Sequence, residues 1–424
     1  MTEDFLHFIW KYGLFDPNGL ITDTGDTVQV ISMGEHNTNA GPDFLNARIK
    51  IGTTTWAGNV EIHIRASDWM GHRHHTDRAY DNVVLHVVYL HDQLIKRPTG
   101  EIVPTAELRF NNALFENYNR LLGHKEWLPC RDKIMQVDTF LFELWLNSLV
   151  VERLQQKSHY IGNLLDQYRN SWEEAFYIGL ARSFGFGLNA TPFEMMAKSV
   201  SLMNLARNRD SLFHIEAVLM GQAGFLEDTA LYPGYYSSLC KEYLHYRRKY
   251  GLKPIGRHLW KFLRLRPVNF PTVRIAQFAA VLARSTGLFS SVLECNEISE
   301  LQQLFAVQAS GFWDSHYTFD TLSPVKTKRL GTDAFQTIVI NAVVPFVFVY
   351  GQRTGAEERK ERALEWLNQL PPEKNRIVSR WSDTGIKPAS AFYSQGILQM
   401  ANNYCNRKRC LACSVGTSII TSGI

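Results

Sequence analysis

The 424-residue chain has little net charge: 45 Lys and Arg against 41 Asp and Glu leave a formal +4. That excludes a chain-wide field for nucleic acid and confines any such surface to a local patch. A basic leader is also missing. The N-terminus, MTEDFLHFIWKYG, is acidic at once and has no long apolar core, so it does not read as a secretory signal. The most apolar run, NAVVPFVFVYG at 341–351, is about half the length of a membrane span and contains Pro345. These absences predict a cytoplasmic protein without a membrane partner. Low-complexity segments and internal repeats are lacking too, which argues against a solenoid. Cysteine is scarce, at six residues. A cytoplasmic chain keeps thiols reduced, so clustered cysteines point to metal before disulfide.

What is present changes character part-way along. Residues 4–15 carry apolar side chains at helical spacing. TVQVISMG (27–34), DFLNARIKIG (43–52) and TTWAGNVEIHI (54–64) alternate as strands, the last two joined by a tight turn near Gly52. HHTDRAYDN (74–82) fits a short helix, VVLHVVYLHD (83–92) is the strongest strand, and PTAELRF (104–110) fits another. From about residue 136 the period becomes 3.6 and stays so, as in FLFELWLNSLVVERLQQ and SWEEAFYIGLARSFGF. The fold class expected is α+β: an N-terminal αβββαβ domain over 1–130, then a large all-α domain over 131–424 that ends in a cysteine cluster.

The stretch GPDFLNARIKIGTTTWAGNVEIHI (41–64) carries the chemistry. In a strand Glu61, His63 and Arg65 share one face, while Val60, Ile62 and Ile64 share the other. That gives one buried apolar face and one open polar face. Asp43 begins the neighbouring strand and reaches Glu61 if the hairpin is offset. Two close carboxylates repel unless a cation sits between them. Oxygen ligands with open positions favour Mg²⁺ or Mn²⁺, which can activate water and stabilise charge on a phosphodiester. Glu35, His36 and Asn37 lie in the segment before Asp43. Six of the fourteen histidines fall between 63 and 91, so His72, His74 and His86 are site neighbours, by zinc or phosphate contact. The rival reading for the loop is a solvated polar segment, and for His86 a core histidine.

Pro42-Asp43 followed by Glu61-Ile62-His63 resembles the PD-(D/E)XK nuclease motif, a Pro-Asp before one strand and acid-x-Lys on the next. The element order of roughly the first 110 residues is similar to that superfamily's core. The chain as a whole resembles a bacterial family known as a domain of unknown function. The nuclease resemblance implies a metal-dependent phosphodiesterase acting on nucleic acid, DNA foremost. Asp43 and Glu61 would be the ligands of Mg²⁺ or Mn²⁺, and His63 would stand in the lysine's place, as base or ligand. A neutral imidazole does not supply the lysine's charge. The alternative is therefore a nuclease-like scaffold or nucleic-acid-binding protein that has lost its chemistry.

Two further features fit a nucleic-acid enzyme. Between 241 and 266 lie nine Lys or Arg against Glu242 alone, among them Arg247, Arg248, Lys249, Lys261, Arg264 and Arg266. Tyr243, Tyr246, Tyr250, Trp260 and Phe262 are interleaved. Such a mixture can hold phosphates and stack bases, or can be a surface helix with its aromatics inward. In the tail, Cys405-x4-Cys410-x2-Cys413 has spacing suited to zinc or an iron–sulfur cluster, and needs a fourth ligand. Cys130 stands outside any periodic helix. Some PD-(D/E)XK nucleases hold an iron–sulfur cluster with one remote and three clustered cysteines. This layout is similar in count and order but not in their C-x2-C-x5-C spacing. Arg407, Lys408 and Arg409 are placed to lower the thiol pKa values or to touch phosphate. Cys240 and Cys295 read as core.

Overall fold

A computed structural model describes residues 1–207, 211–227, 232, 234–285 and 287–423. The chain divides into two compact units, Met1–Trp145 with Met400–Ile424, and Leu146–Gln399. The tail, grouped with the helical domain by a split after residue 130, thus belongs with the first unit. Asn117 Nδ2 donates to Ile420 O at 3.1 Å, and Lys408 Nζ to Leu122 O at 2.8 Å.

In the first unit, α1 (Glu3–Lys11) opens where Thr2 accepts from the Phe5 N–H. Acids fill its first turn and Lys11 its last, the order that the helix dipole favours. Six strands follow: β1 (Val28–Ser32), β2 (Glu35–His36), β3 (Phe44–Ile51), β4 (Thr54–Arg65), β5 (Val83–Leu90) and β6 (Thr105–Glu107). They form one mixed sheet in the order β1-β3-β4-β5-β6, with β2 also on β3. Pairs on β3 are antiparallel; β4 with β5 and β5 with β6 are parallel.

Parallel strands need a crossover. Residues 66–82 supply it with α2 (Asp68–Gly71) and two 3-10 turns, His74–Thr76 and Arg78–Tyr80. The helix expected over 74–82 is broken because Asp77 between the turns is extended and caps the second through the Ala79 N–H. Trp69 and Tyr80 anchor the crossover in a small apolar cluster with Val83 and Val88.

A β-bulge sets the register that matters. From Ile51↔Thr54 to Ala47↔Gly58 the β3–β4 ladder is regular; beyond it Phe44 faces Val60, one residue out of step. Continued without the bulge, the ladder would set Phe44 opposite Glu61. The bulge instead puts Phe44 on the buried apolar face and Asp43 opposite Glu61. Asn46 carries it at φ 57°, and its N–H is taken by Asn59 Oδ1 at 3.2 Å. Asparagine tolerates this left-handed conformation and a β-branched residue does not. Asn46→Val is expected to cost about 1–2 kcal/mol, and Asn46→Gly a few tenths or less. Thermal unfolding of the three proteins checks this; coincident curves would refute it.

The second unit, Leu146–Gln399, is mostly helical and has its own apolar core. One helix, Thr332–Thr354, is 23 residues long, twice the apolar run visible in sequence. A π-turn at Val339–Val343 precedes Pro345, so the proline falls at the start of a fresh α-helical segment instead of ending the helix. This helix is long and apolar enough to cross a membrane, and 78% of its most apolar window is buried inside the fold.

Candidate metal and active site

The sheet lays four polar side chains in a row. Glu61 pairs with His86 and His86 with Thr105, so one face carries Glu, His and Thr across β4 to β6, and Asp43, in the bend just before β3, joins the row beside Glu61. His63 sits on the same face of β4, two residues beyond Glu61. The two carboxylates are held reciprocally: Asp43 N–H donates to Glu61 Oε2 at 3.1 Å, and Ile62 N–H to Asp43 Oδ2 at 2.9 Å. α1 contributes His7, whose Nε2 is 3.2 Å from Asp43 Oδ2.

The expected open polar face is closed over Glu61 and His63, which are 4% and 1% exposed. The crossover covers them. Arg73, left-handed at φ 63°, turns the chain between His72 and His74. Both rings come down beside His63, at 4.9 and 5.2 Å between centroids. His72 remains exposed and His74 is half-buried. Tyr80 stacks on His74 at 3.8 Å.

Burial and charge divide the titrating groups. Burial would raise Asp43, but the bond and charge of His7, with the Ile62 N–H, outweigh it and hold the carboxyl below its ordinary value. For His7, likewise, burial is outweighed by Asp43, and its pKa is raised. Burial holds Glu61 above its ordinary value despite His74, with the charge of Asp43 adding to the rise. His63 is pushed down to about 4 by burial and by its neighbours His74 and His72. It is a neutral imidazole at pH 7 and brings no positive charge. His86 is pushed well below its ordinary value, first by burial and then by His63.

A family model for DUF2851, described as a protein of unknown function, matches residues 3–376. The chain belongs to that family. Searches of curated proteins and of solved structures find no match. The DUF2851 match takes in Asp43, Glu61, His63 and Cys130 and stops short of the tail cysteines.

The other predicted neighbours have humbler places. Glu35 is exposed opposite Leu45, and the His36 ring lies 5.6 Å from that of His7. Asn37 shapes the approach to Asp43: its N–H donates to Asp43 O at 2.7 Å and its amide to Pro42 O at 3.0 Å. His7 and Thr105 escape sequence reading. A lone histidine in an amphipathic helix and a lone threonine in a short strand carry no local signal.

Cys130, Cys405, Cys410 and Cys413 all lie in the first unit and line one small cavity, with Tyr404, Arg409 and Gly416 at its wall. All four are buried free thiols. Cys405 ends a π-turn, Ala401–Cys405, and Gly416 is required where a Cβ would collide with the Cys410 carbonyl. Among the described residues, no three of these sulfurs lie within 4.8 Å of one another. The basic residues of the tail do not lower the thiol pKa values as expected. Burial dominates: Cys410 is pushed up to about 11 despite Lys408, and the other three rise as well. Cys240 and Cys295 are buried in the second unit.

In the second unit Arg247, Arg248, Lys249, Lys261, Arg264 and Arg266 are all exposed or partly so. The first three end the helix Tyr235–Tyr250; the rest follow in irregular chain. Three of their five aromatic neighbours are not free to stack on bases, while Tyr250 and Phe262 are partly buried. Tyr243, Tyr246 and Trp260 are buried, Tyr243 donating to Gln222 Oε1 and Trp260 Nε1 to Ala223 O. A cavity of about 590 Å³ also lies in this unit. It is lined by Arg153, Lys157, Arg182, Asn341 and Glu373, among others, and by none of the carboxylate-site residues.

Proposed function

We propose that this protein is a metal-dependent phosphodiesterase acting on nucleic acid, with Asp43 and Glu61 as ligands of Mg²⁺ or Mn²⁺. The observation that carries the reading is the cross-strand pair Asp43–Glu61, with His63 two residues on, placed on one face of a mixed sheet by a bulge. Asp43 at the strand entry, acid-x-His on the next strand, and a crossover into a parallel strand agree with the PD-(D/E)XK resemblance. A divalent ion there would lower the pKa of a bound water and offset charge on the phosphate. The chain's own part is to fix the carboxylates through the Ile62 and Asp43 N–H groups and to set His7 beside Asp43, which raises the pKa of that imidazole. His63 takes the lysine's position without its charge.

The test is a cleavage screen with Mg²⁺ and Mn²⁺ against single- and double-stranded DNA and RNA, with Asp43→Ala as control. Cleavage by the wild type alone supports the reading. The burial of Glu61 and His63 favours the second reading, a non-catalytic nucleic-acid-binding protein. Salt-dependent binding without cleavage would decide for it.

Nucleic-acid contact is assigned to the exposed cations of the second unit, through phosphates and not base stacking. Reversing Arg247 and Arg248 to Glu is expected to weaken binding and to lower the log–log salt slope by about 0.7–0.9 for each phosphate no longer neutralised. Unchanged affinity and slope in a salt titration would remove the patch from the proposal.

For the four cysteines we propose a metal centre, an iron–sulfur cluster ahead of zinc. Four thiols around one cavity are a complete donor set. A zinc ion with bonds of about 2.3 Å would draw its sulfurs to about 3.8 Å apart, whereas no three of these sulfurs lie within 4.8 Å of one another. A larger cluster accepts the wider spacing.

A further inference from the structure

The crossover histidines form a second donor set on the other oxygen of Glu61. His63 Nε2 lies 3.1 Å from His72 Nδ1, and the ligand atoms of His63, His72 and His74 all fall within 4.8 Å of one another. Glu61 Oε1 is 3.5 Å from His63 Nε2 and 3.2 Å from His74 Nε2. Ligands about 2.0–2.1 Å from a tetrahedral ion stand about 3.3–3.4 Å apart, close to these three separations.

The hydrogen-bond chain behind His63 leaves the lone pair of its Nε2 facing inward. Thr105 Oγ1 donates to Val103 O at 3.0 Å, so toward His86 Nδ1, at 3.5 Å, it can only accept. His86 Nδ1 therefore carries its ring's hydrogen, and His86 Nε2 accepts from His63 Nδ1 at 2.9 Å. A ligating imidazole is neutral, so the hydrogen of His63 then lies on Nδ1 and the lone pair of Nε2 faces Glu61 and His72. A second layer that fixes a ligand's tautomer in this way is usual behind metal-bound imidazole. His74 Nε2 is buried and has no aligned hydrogen-bond partner, which is costly unless a ligand meets it. His72 is the exposed member of the set.

We propose that His63, His72 and His74, beside Glu61 Oε1, bind one divalent transition-metal ion of the zinc class. Three imidazoles select such an ion over Mg²⁺ or Ca²⁺. This position is distinct from the Asp43–Glu61 one and rests on the phosphodiesterase reading only in sharing Glu61. Two ions at this centre would be held through the two oxygens of one carboxylate, and Asp43 takes no part in the histidine position.

The experiment strips the full chain with chelator and titrates it with Co²⁺, reading visible d–d bands together with bound metal per chain. The wild type should gain one ion whose bands lack the thiolate-to-cobalt charge transfer that a cysteine site would show. His72→Ala, on an exposed residue, and His74→Ala should each weaken that ion at least tenfold, while Asp43→Ala keeps it. Equal titrations of the wild type and both histidine variants, or no histidine-type bands in any, would overturn the proposal. The two readings fail separately. Loss of the ion in the histidine variants with no nucleic acid cleaved leaves this site standing without the phosphodiesterase. Mg²⁺-supported cleavage abolished by Asp43→Ala, with no Co²⁺ at the histidines, does the reverse.

Discussion

Asp43→Ala is expected to lower metal-dependent cleavage by about a thousandfold or more, since an ion worth several kcal/mol of transition-state stabilisation loses one of two carboxylates. The side chain has few structural duties. It accepts from the Ile62 N–H and faces His7, so the fold should lose only about 1–3 kcal/mol, the cost of leaving those groups unpaired. Asp43→Asn is the sharper variant. It keeps the shape and an oxygen for Ile62 but removes the charge, so the fold should hold while Mn²⁺ affinity falls. Calorimetric titration of wild type, Asp43→Asn and Glu61→Gln reads the affinity directly, and melting curves read the fold. Activity retained by a well-folded Asp43→Asn would show that the carboxylate pair is not the catalytic centre.

The strands that carry this pair were legible because alternation is a local signal. β3, β4 and β5 fall where apolar residues recur at every second position, and Gly52 marks the turn between the first two. The facing of Asp43 and Glu61 was not legible to the same degree. A period-two pattern assumes a regular ladder, and the extra residue at Asn46 reverses which side chains of β3 look toward Glu61. The burial of Glu61 and His63 was hidden for a different reason. It depends on a crossover required by parallel pairing, and nothing near residue 61 announces that β5 runs parallel to β4. Charge pattern placed the basic residues of 241–266 on the surface but did not tell stacking aromatics from core ones. Tyr243 and Trp260 find buried acceptors, which only the tertiary structure supplies. The tail joins the first unit for the same reason: Cys130 and Cys405 meet through packing, and sequence spacing is silent about it.

Cys130→Ser is expected to empty the cysteine centre and to destabilise the first unit. Cys130 precedes the whole second unit and the three tail cysteines follow it, so a bound centre cross-links Met1–Trp145 to Met400–Ile424 across that insertion. Closing a loop of such length restricts the unfolded chain by about 5–6 kcal/mol if the centre acts as a single cross-link. Metal affinity adds to this, because the unfolded chain has no preformed site. For a unit of this size the melting transition should fall by roughly 10–24 °C. Cys240→Ser and Cys295→Ser, in the second unit, are the controls: each should leave metal content unchanged. Loading should also weaken as pH falls, since the buried thiols must release their protons to solvent before the sulfurs bind metal, and they hold them more tightly than ordinary cysteines do. Iron, sulfide and zinc analysis of anaerobically purified protein separates the two metals, with brown colour for a cluster and none for zinc. Protein that contains neither metal, or a Cys130→Ser variant with wild-type metal and melting temperature, would reduce these four residues to apolar packing between the tail and the sheet unit.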